Sequence, residues 1–132
     1  QNSFGVGGIS IGSTRVVGLN FPRIAFEMRQ DKTFDFKPYV DKYVSMCHKV
    51  LIAHRKLLDN HIAAGVLPLY DSGWIRLDNQ YITYGFIGAY EFLDILGYDI
   101  TKEEGSDYLV DVLKFVEGKM EAWAEEDNII GN

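Results

Sequence analysis

A single cysteine, Cys47, is all the chain contains. No intramolecular disulfide can form, and no cysteine-rich zinc or iron–sulfur site can be assembled from this sequence. A reducing compartment, the cytoplasm, suits such a chain. Apolar runs are short: none approaches the ~18 residues of a membrane span, and the N-terminus has neither a charged stretch nor a signal-like apolar segment. Positive charge is also scarce. The 13 Lys and Arg are scattered among 19 Asp and Glu for a net charge of −6, which leaves no basic face for a phosphate backbone and argues against duplex nucleic acid as a partner. A local glycine-rich or helix-terminal site could still hold a nucleotide, because that needs aimed N–H groups rather than a positive total.

Core-forming residues are plentiful. Hydrophobic residues make up 47% of the 132 positions, with 8 Tyr, 8 Phe and 2 Trp, far from the composition of a disordered chain and enough for one domain. The chain begins with Gln1 rather than Met, so it is expected to be processed or part of something larger.

Residues Gln1 to Ser13, with Gly5, Gly7, Gly8 and Gly12, read as a glycine-rich loop or arm. Arg15 to Leu19 has the β-branched content of a short strand, Asn20-Phe21-Pro22 turns the chain, and Arg23 to Arg29 forms a helix with Pro22 at its start. From Pro38 to His61 apolar residues recur every three or four positions, one face of a long helix. Asp35 caps it, Gly65 stops it, and Lys42, Lys49, Arg55, Lys56 and Asp59 fall mostly on its polar side. Val66–Tyr70 and Trp74–Leu77 look extended around an Asp71-Ser72-Gly73 turn, and Tyr81–Tyr84 alternates like a strand. A helix then runs from Phe86 to Leu96, closed by Gly97, and another carries Tyr108 to Trp123 with Ser106 as its N-cap. Helices following strands give an α/β fold, helix-rich with a few short strands.

Two short motifs carry a resemblance. Val16-Val17-Gly18-Leu19-Asn20-Phe21-Pro22-Arg23-Ile24-Ala25-Phe26-Glu27 and Tyr84-Gly85-Phe86-Ile87-Gly88-Ala89-Tyr90-Glu91, in that order and at that separation, resemble the anaerobic, class III ribonucleotide reductases of the glycyl radical enzyme family. The long helix from Pro38 occupies the place of a similar family helix. The resemblance spans about Ser13 to the last helix and implies a segment of the family's α/β barrel of parallel-stranded half-sheets, within an enzyme that makes deoxyribonucleotides for DNA synthesis with formate or a thiol system as reductant.

The same resemblance implies what this segment does not carry. The family's thiyl cysteine on a loop inside the barrel, its glycyl radical near the C-terminus and its four-cysteine metal site have no counterpart here, so the chain is expected to hold no catalytic residue, metal or cofactor of its own. The radical would lie elsewhere in the parent enzyme. Cys47, mid-helix on the apolar face, reads as a core thiol. The family's ribose-contacting Asn falls at Ser13, with Thr14 beside it; a hydroxyl replaces only part of an amide's hydrogen bonding.

Candidate substrate contacts are therefore Ser13, Thr14, Gly85, Phe86, Ile87 and Gly88. The run from Ser10 to Arg15 offers backbone freedom, hydroxyls and a cation, yet meets no P-loop pattern and reads more readily as a flexible edge than as a substrate contact. Gly85 to Gly88 either turns free helix N–H groups toward a phosphate or base, or merely permits close packing. His48, His54 and His61 lack the three- or four-residue spacing of paired zinc ligands, Arg23 and Glu27 are spaced as a helical ion pair, and Glu121 to Asp127 reads as a solvated helix end. The favoured expectation is a reductase segment partnered by the rest of its catalytic subunit and a ribonucleoside triphosphate. A non-catalytic α/β interaction module on the same scaffold, or a glycyl radical enzyme with another substrate, are the alternatives. Alone, a piece of barrel wall should self-associate through exposed edges and apolar faces.

Overall fold

The computed structural model describes residues 12–131. Residues 1–11, most of the expected arm, lie outside that range. Strand β1 (Gly12–Asn20) leads directly into helix α1 (Phe21–Gln30), and helix α2 (Lys37–Ala63) follows. A helical turn α3 (Pro68–Asp71) and a 3-10 turn at Leu77–Asn79 precede strand β2 (Gln80–Ile87), and helices α4 (Ala89–Leu96) and α5 (Glu103–Asp127) complete the order. The strands form a parallel two-stranded sheet, paired from Gly12↔Gln80 to Asn20↔Ile87 with an irregularity between Ser13 and Arg15. Parallel pairing requires a long crossover, which α1 and α2 supply.

Local chemistry explains most boundaries. Asn20 Oδ1 accepts from the Arg23 N–H at 3.0 Å and Pro22 occupies the first turn of α1, where its missing N–H costs nothing. Asp35 Oδ1 accepts from the Lys37 N–H at 3.2 Å, just ahead of Pro38 in α2. One side of the sheet buries Leu19, Ile82 and Tyr84 against Phe21, Ile24, Met28, Val40, Val44, Leu51, Phe92, Leu93 and Val112. Phe21 and Phe92 are fully buried with ring centroids 5.3 Å apart. Truncating either to Ala would cost roughly 3–5 kcal/mol by lost transfer energy plus cavity.

Four local expectations need correction. Val66–Tyr70 is not extended: Pro68 starts the single helical turn α3, and no strand forms at Trp74–Leu77. Their apolar residues meet no pairing partner, and Trp74 stays 75% exposed. β1 begins at Gly12 and β2 runs on to Ile87, because the two pair along their whole lengths. Helix α4 accordingly begins at Ala89 rather than Phe86. Helix α5 begins at Glu103, with Lys102 at the N-cap, and Ser106 Oγ instead donates to the Glu103 carbonyl. Gly105 explains the early start: a Cβ there would lie 2.2 Å from the Asp99 carbonyl oxygen, so the first turn of α5 seats directly on the preceding backbone. Arg55, finally, is buried. Its guanidinium donates to the carbonyls of Leu77 (3.0 Å) and Gln80 (3.1 Å), clamping α2 to the turn that launches β2.

Candidate functional site

Side chains of a strand alternate between faces, and the register sorts the candidate residues accordingly. Ser13 and Tyr81, Val16 and Thr83, Gly18 and Gly85, Asn20 and Ile87 are paired positions on the sheet side opposite the core. Along β1 this side is exposed, Val16 at 57%, and Ile87 at the end of β2 is 62% exposed. Gly18 and Gly85 sit side by side, so the middle of this face is bare backbone. Packing among the described residues does not explain Gly18, since a Cβ there would meet none of them within 4 Å.

The six candidates divide across this sheet. Ser13 lies on the open face near its amino end; its Oγ accepts from Thr83 Oγ1 at 2.8 Å and donates to the Arg15 carbonyl at 3.0 Å. Thr14 falls at the irregularity, half-buried, and its hydroxyl donates to the Tyr81 carbonyl at 3.1 Å. Gly85 and Ile87 share the open face with Ser13 at the carboxyl end, four or more residues away, about 13 Å at ~3.3 Å per residue. Phe86 points the other way and stacks on Phe21 at 5.3 Å, a packing contact rather than part of the open face.

Gly88 takes φ +74° as the N-cap of α4, and a Cβ on it would lie 2.4 Å from Pro22 Cγ. Close packing therefore accounts for Gly88: it lets the starts of α1 and α4 abut. The first turn of α4 has no side-chain cap and carries Glu91, whose carboxylate already answers the helix dipole there.

Behind the sheet, β2 is anchored by a polar cluster that the sequence pattern did not reveal. His48 of α2 places Nε2 2.9 Å from Asp127 Oδ2 and Nδ1 2.5 Å from the Tyr84 hydroxyl, while its ring stacks on Trp123 at 4.3 Å. A carboxylate can only accept, so Nε2–H donates to Asp127, while Nδ1 and the Tyr84 hydroxyl share a second hydrogen bond. Burial, reinforced by the charge of Asp127, holds the Tyr84 hydroxyl far above its ordinary range. Tyr84, His48 and Asp127 stand 36 and 43 residues apart in sequence or more, and no local spacing signals their meeting.

On the outer side of α1, Glu27 accepts from Tyr43 and Lys42 as well as Arg23. The Tyr43 hydrogen bond, then that of Lys42, keeps its carboxyl below the usual range. The Arg23–Glu27 pair is legible from its four-residue spacing, whereas the two α2 partners meet it only in the fold. Cys47 is buried in α2, where desolvation raises its thiol. A desolvated, helix-bound thiol fits neither a radical-bearing loop nor a metal ligand, and among the described residues no group of three His, Cys, Asp or Glu could hold a metal ion.

Two parallel strands that each run directly into a helix start define a helix-rich α/β architecture. The particular family follows from comparison. The profile of the anaerobic ribonucleoside-triphosphate reductases matches residues 2–131, and the chain belongs to that family. It is similar to the Thermotoga maritima anaerobic ribonucleotide reductase solved with glycerol in the active site: TM-score 0.86 and 32% identity over 100% of this chain and 23% of that one. The same enzyme solved with dATP in the specificity site, and in complex with dATP and CTP, gives TM-scores of 0.84 and 0.83 at 32% identity, each over 92% of this chain and 22% of that one. The chain thus spans under a quarter of the length of these relatives. No curated protein matches it.

Proposed function

We propose that this chain forms part of an anaerobic ribonucleoside-triphosphate reductase, which converts ribonucleotides to deoxyribonucleotides by radical chemistry, and that it supplies barrel wall and one side of the substrate pocket. The family match over residues 2–131 carries the reading. The radical residues, in this reading, lie in the remainder of the catalytic subunit, and the chain alone is inactive. A cytoplasmic setting accords with the lone buried thiol; no helix among the described residues is long and apolar enough to cross a membrane.

Within that pocket the open sheet face is the surface we assign to substrate. Gly18 and Gly85 give a flat floor on which a planar base or a ribose could lie against backbone, with Ile87 as an apolar wall and the Ser13–Thr83 hydroxyl pair at the far end. Thr14, its hydroxyl bound to Tyr81, Phe86, stacked on Phe21, and Gly88, packed on Pro22, would shape the pocket from behind. The test is anaerobic turnover by the natural gene product containing this stretch, with a ribonucleoside triphosphate and formate or a dithiol. Deoxyribonucleotide product supports the reading, and a full-length, radical-loaded protein that binds no ribonucleotide overturns it.

A further inference from the structure

Burial raises the hydroxyls of Tyr84 and Tyr108 alike, but their partners differ in kind. Tyr108 donates to the Phe34 carbonyl at 2.7 Å, an amide oxygen that is too weak a base to take the proton away. Tyr84 meets Nδ1 of His48 at 2.5 Å, and the far nitrogen of that ring, Nε2, donates to Asp127 at 2.9 Å. When the imidazole is neutral, a proton on Nε2 leaves Nδ1 with its lone pair toward the phenol. The ring also stacks on Trp123, centroids 4.3 Å apart and planes within 10°, so three contacts fix its place. Tyr39 and Tyr43 meet the carboxylates of Asp31 and Glu27, but a carboxylate is a weaker base than an imidazole by about two pH units. The difference matters for one reaction. Losing an electron turns a phenol into a strong acid, so a tyrosine is easily oxidised only where a base receives its proton in the same step.

We propose that Tyr84, with His48 as its base, is a one-electron redox site that quenches a thiyl or similarly oxidising organic radical. One electron leaves Tyr84 for the radical, which takes up a solvent proton and, for a thiyl, becomes a thiol. The phenol proton crosses to Nδ1, and Asp127 pairs with the resulting imidazolium through Nε2–H. Tyr84 is left as a neutral tyrosyl radical. Its position suits the role: Thr83 and Gly85 on either side of it belong to the open face, so Tyr84 stands one backbone layer behind that face, and its ring also lines a groove of about 440 Å³ beside α5. The site uses no side chain of the open face and stands whether or not a nucleotide lies there.

The experiment exposes the chain to glutathionyl radicals made by pulse radiolysis at about pH 8.5, above the ordinary imidazole range. Tyrosyl radical is read by its absorbance near 410 nm and by electron paramagnetic resonance of frozen samples. The wild-type chain and Tyr108→Phe should give the same long-lived tyrosyl signal. Tyr84→Phe should lower its yield by about fivefold or more, and so should His48→Phe, which keeps a ring against Trp123 but removes the base. Melting temperatures are recorded for each variant. A measurement that needs no substitution stands beside these: with nitrogen-15-labelled histidine, the radical in the wild-type chain should show a magnetic coupling to an imidazole nitrogen. Equal yield from the wild-type chain and a folded Tyr84→Phe, loss of the signal in a folded Tyr108→Phe, or absence of the nitrogen coupling overturns the proposal; where a variant does not fold, the coupling in the wild-type chain decides.

Discussion

Two glycines, Gly18 within β1 and Gly88 at the start of α4, separate packing from function at the scale of single residues. Gly88→Ala places a methyl 2.4 Å from Pro22 in a left-handed backbone, and should lower stability by roughly 2–4 kcal/mol from strain and overpacking combined. Urea denaturation of the variant checks this. Gly18→Ala meets open space and should shift the urea midpoint little, since alanine restricts the unfolded chain without a clash. Motif matching put Gly88 among the candidate contacts and left Gly18 out of them, inside its strand. Sequence shows where a glycine is, but only register shows what a side chain there would strike.

Titration at individual residues gives two signed expectations. Glu27 is held below its ordinary pKa of 4.5 chiefly by Tyr43, so its contribution is present above the unfolded value and lost as pH falls through the lower folded one. The stability difference between the wild-type chain and Glu27→Gln should therefore be open at pH 7 and close progressively below about pH 4.5. Tyr84 and Tyr108 are displaced the opposite way, above 10, burial being the main cause in both. Their contribution is intact below the unfolded value and is lost as pH climbs past it. Absorbance at 295 nm should show part of the tyrosine complement resisting ionisation above pH 10 until the protein unfolds, and Tyr84→Phe should remove part of that resistance.

At the scale of elements, helices were legible and connections were not. The long apolar stripe of α2 and the Asn20–Pro22 start of α1 are local signals, carried by periodicity and capping, and the structure keeps both. The extent of β2 depends on β1, 67 or more residues away, so alternation alone ended it at Tyr84 instead of Ile87. Arg55 shows the same limit from the other side. Its place on the helical wheel is polar, yet it is buried because the carbonyls of Leu77, in the turn before β2, and Gln80, its first residue, need donors. Arg55→Met should cost roughly 2–4 kcal/mol in urea denaturation, by leaving both acceptors unsatisfied, and should raise hydrogen exchange at the amino end of β2 more than in α5.

For the whole molecule, an α/β segment with an open sheet face among the described residues has apolar surface to cover. Val16, Ile87, Phe86 and Trp74 are all about half exposed or more. The isolated chain should therefore sediment as concentration-dependent oligomers, while a monomer that resists concentration would mean these faces are tolerated in water. Within the longer enzyme the same face is the one we assign to the nucleotide. The most direct measurement is ribonucleoside triphosphate binding to the natural gene product and to its Gly18→Val variant, with the melting temperature recorded alongside. The account predicts affinity weakened by about tenfold or more, a loss of ~1.4 kcal/mol or greater, at an unchanged melting temperature. Equal affinity in a folded variant would contradict it, and would place the substrate elsewhere than on the floor between β1 and β2.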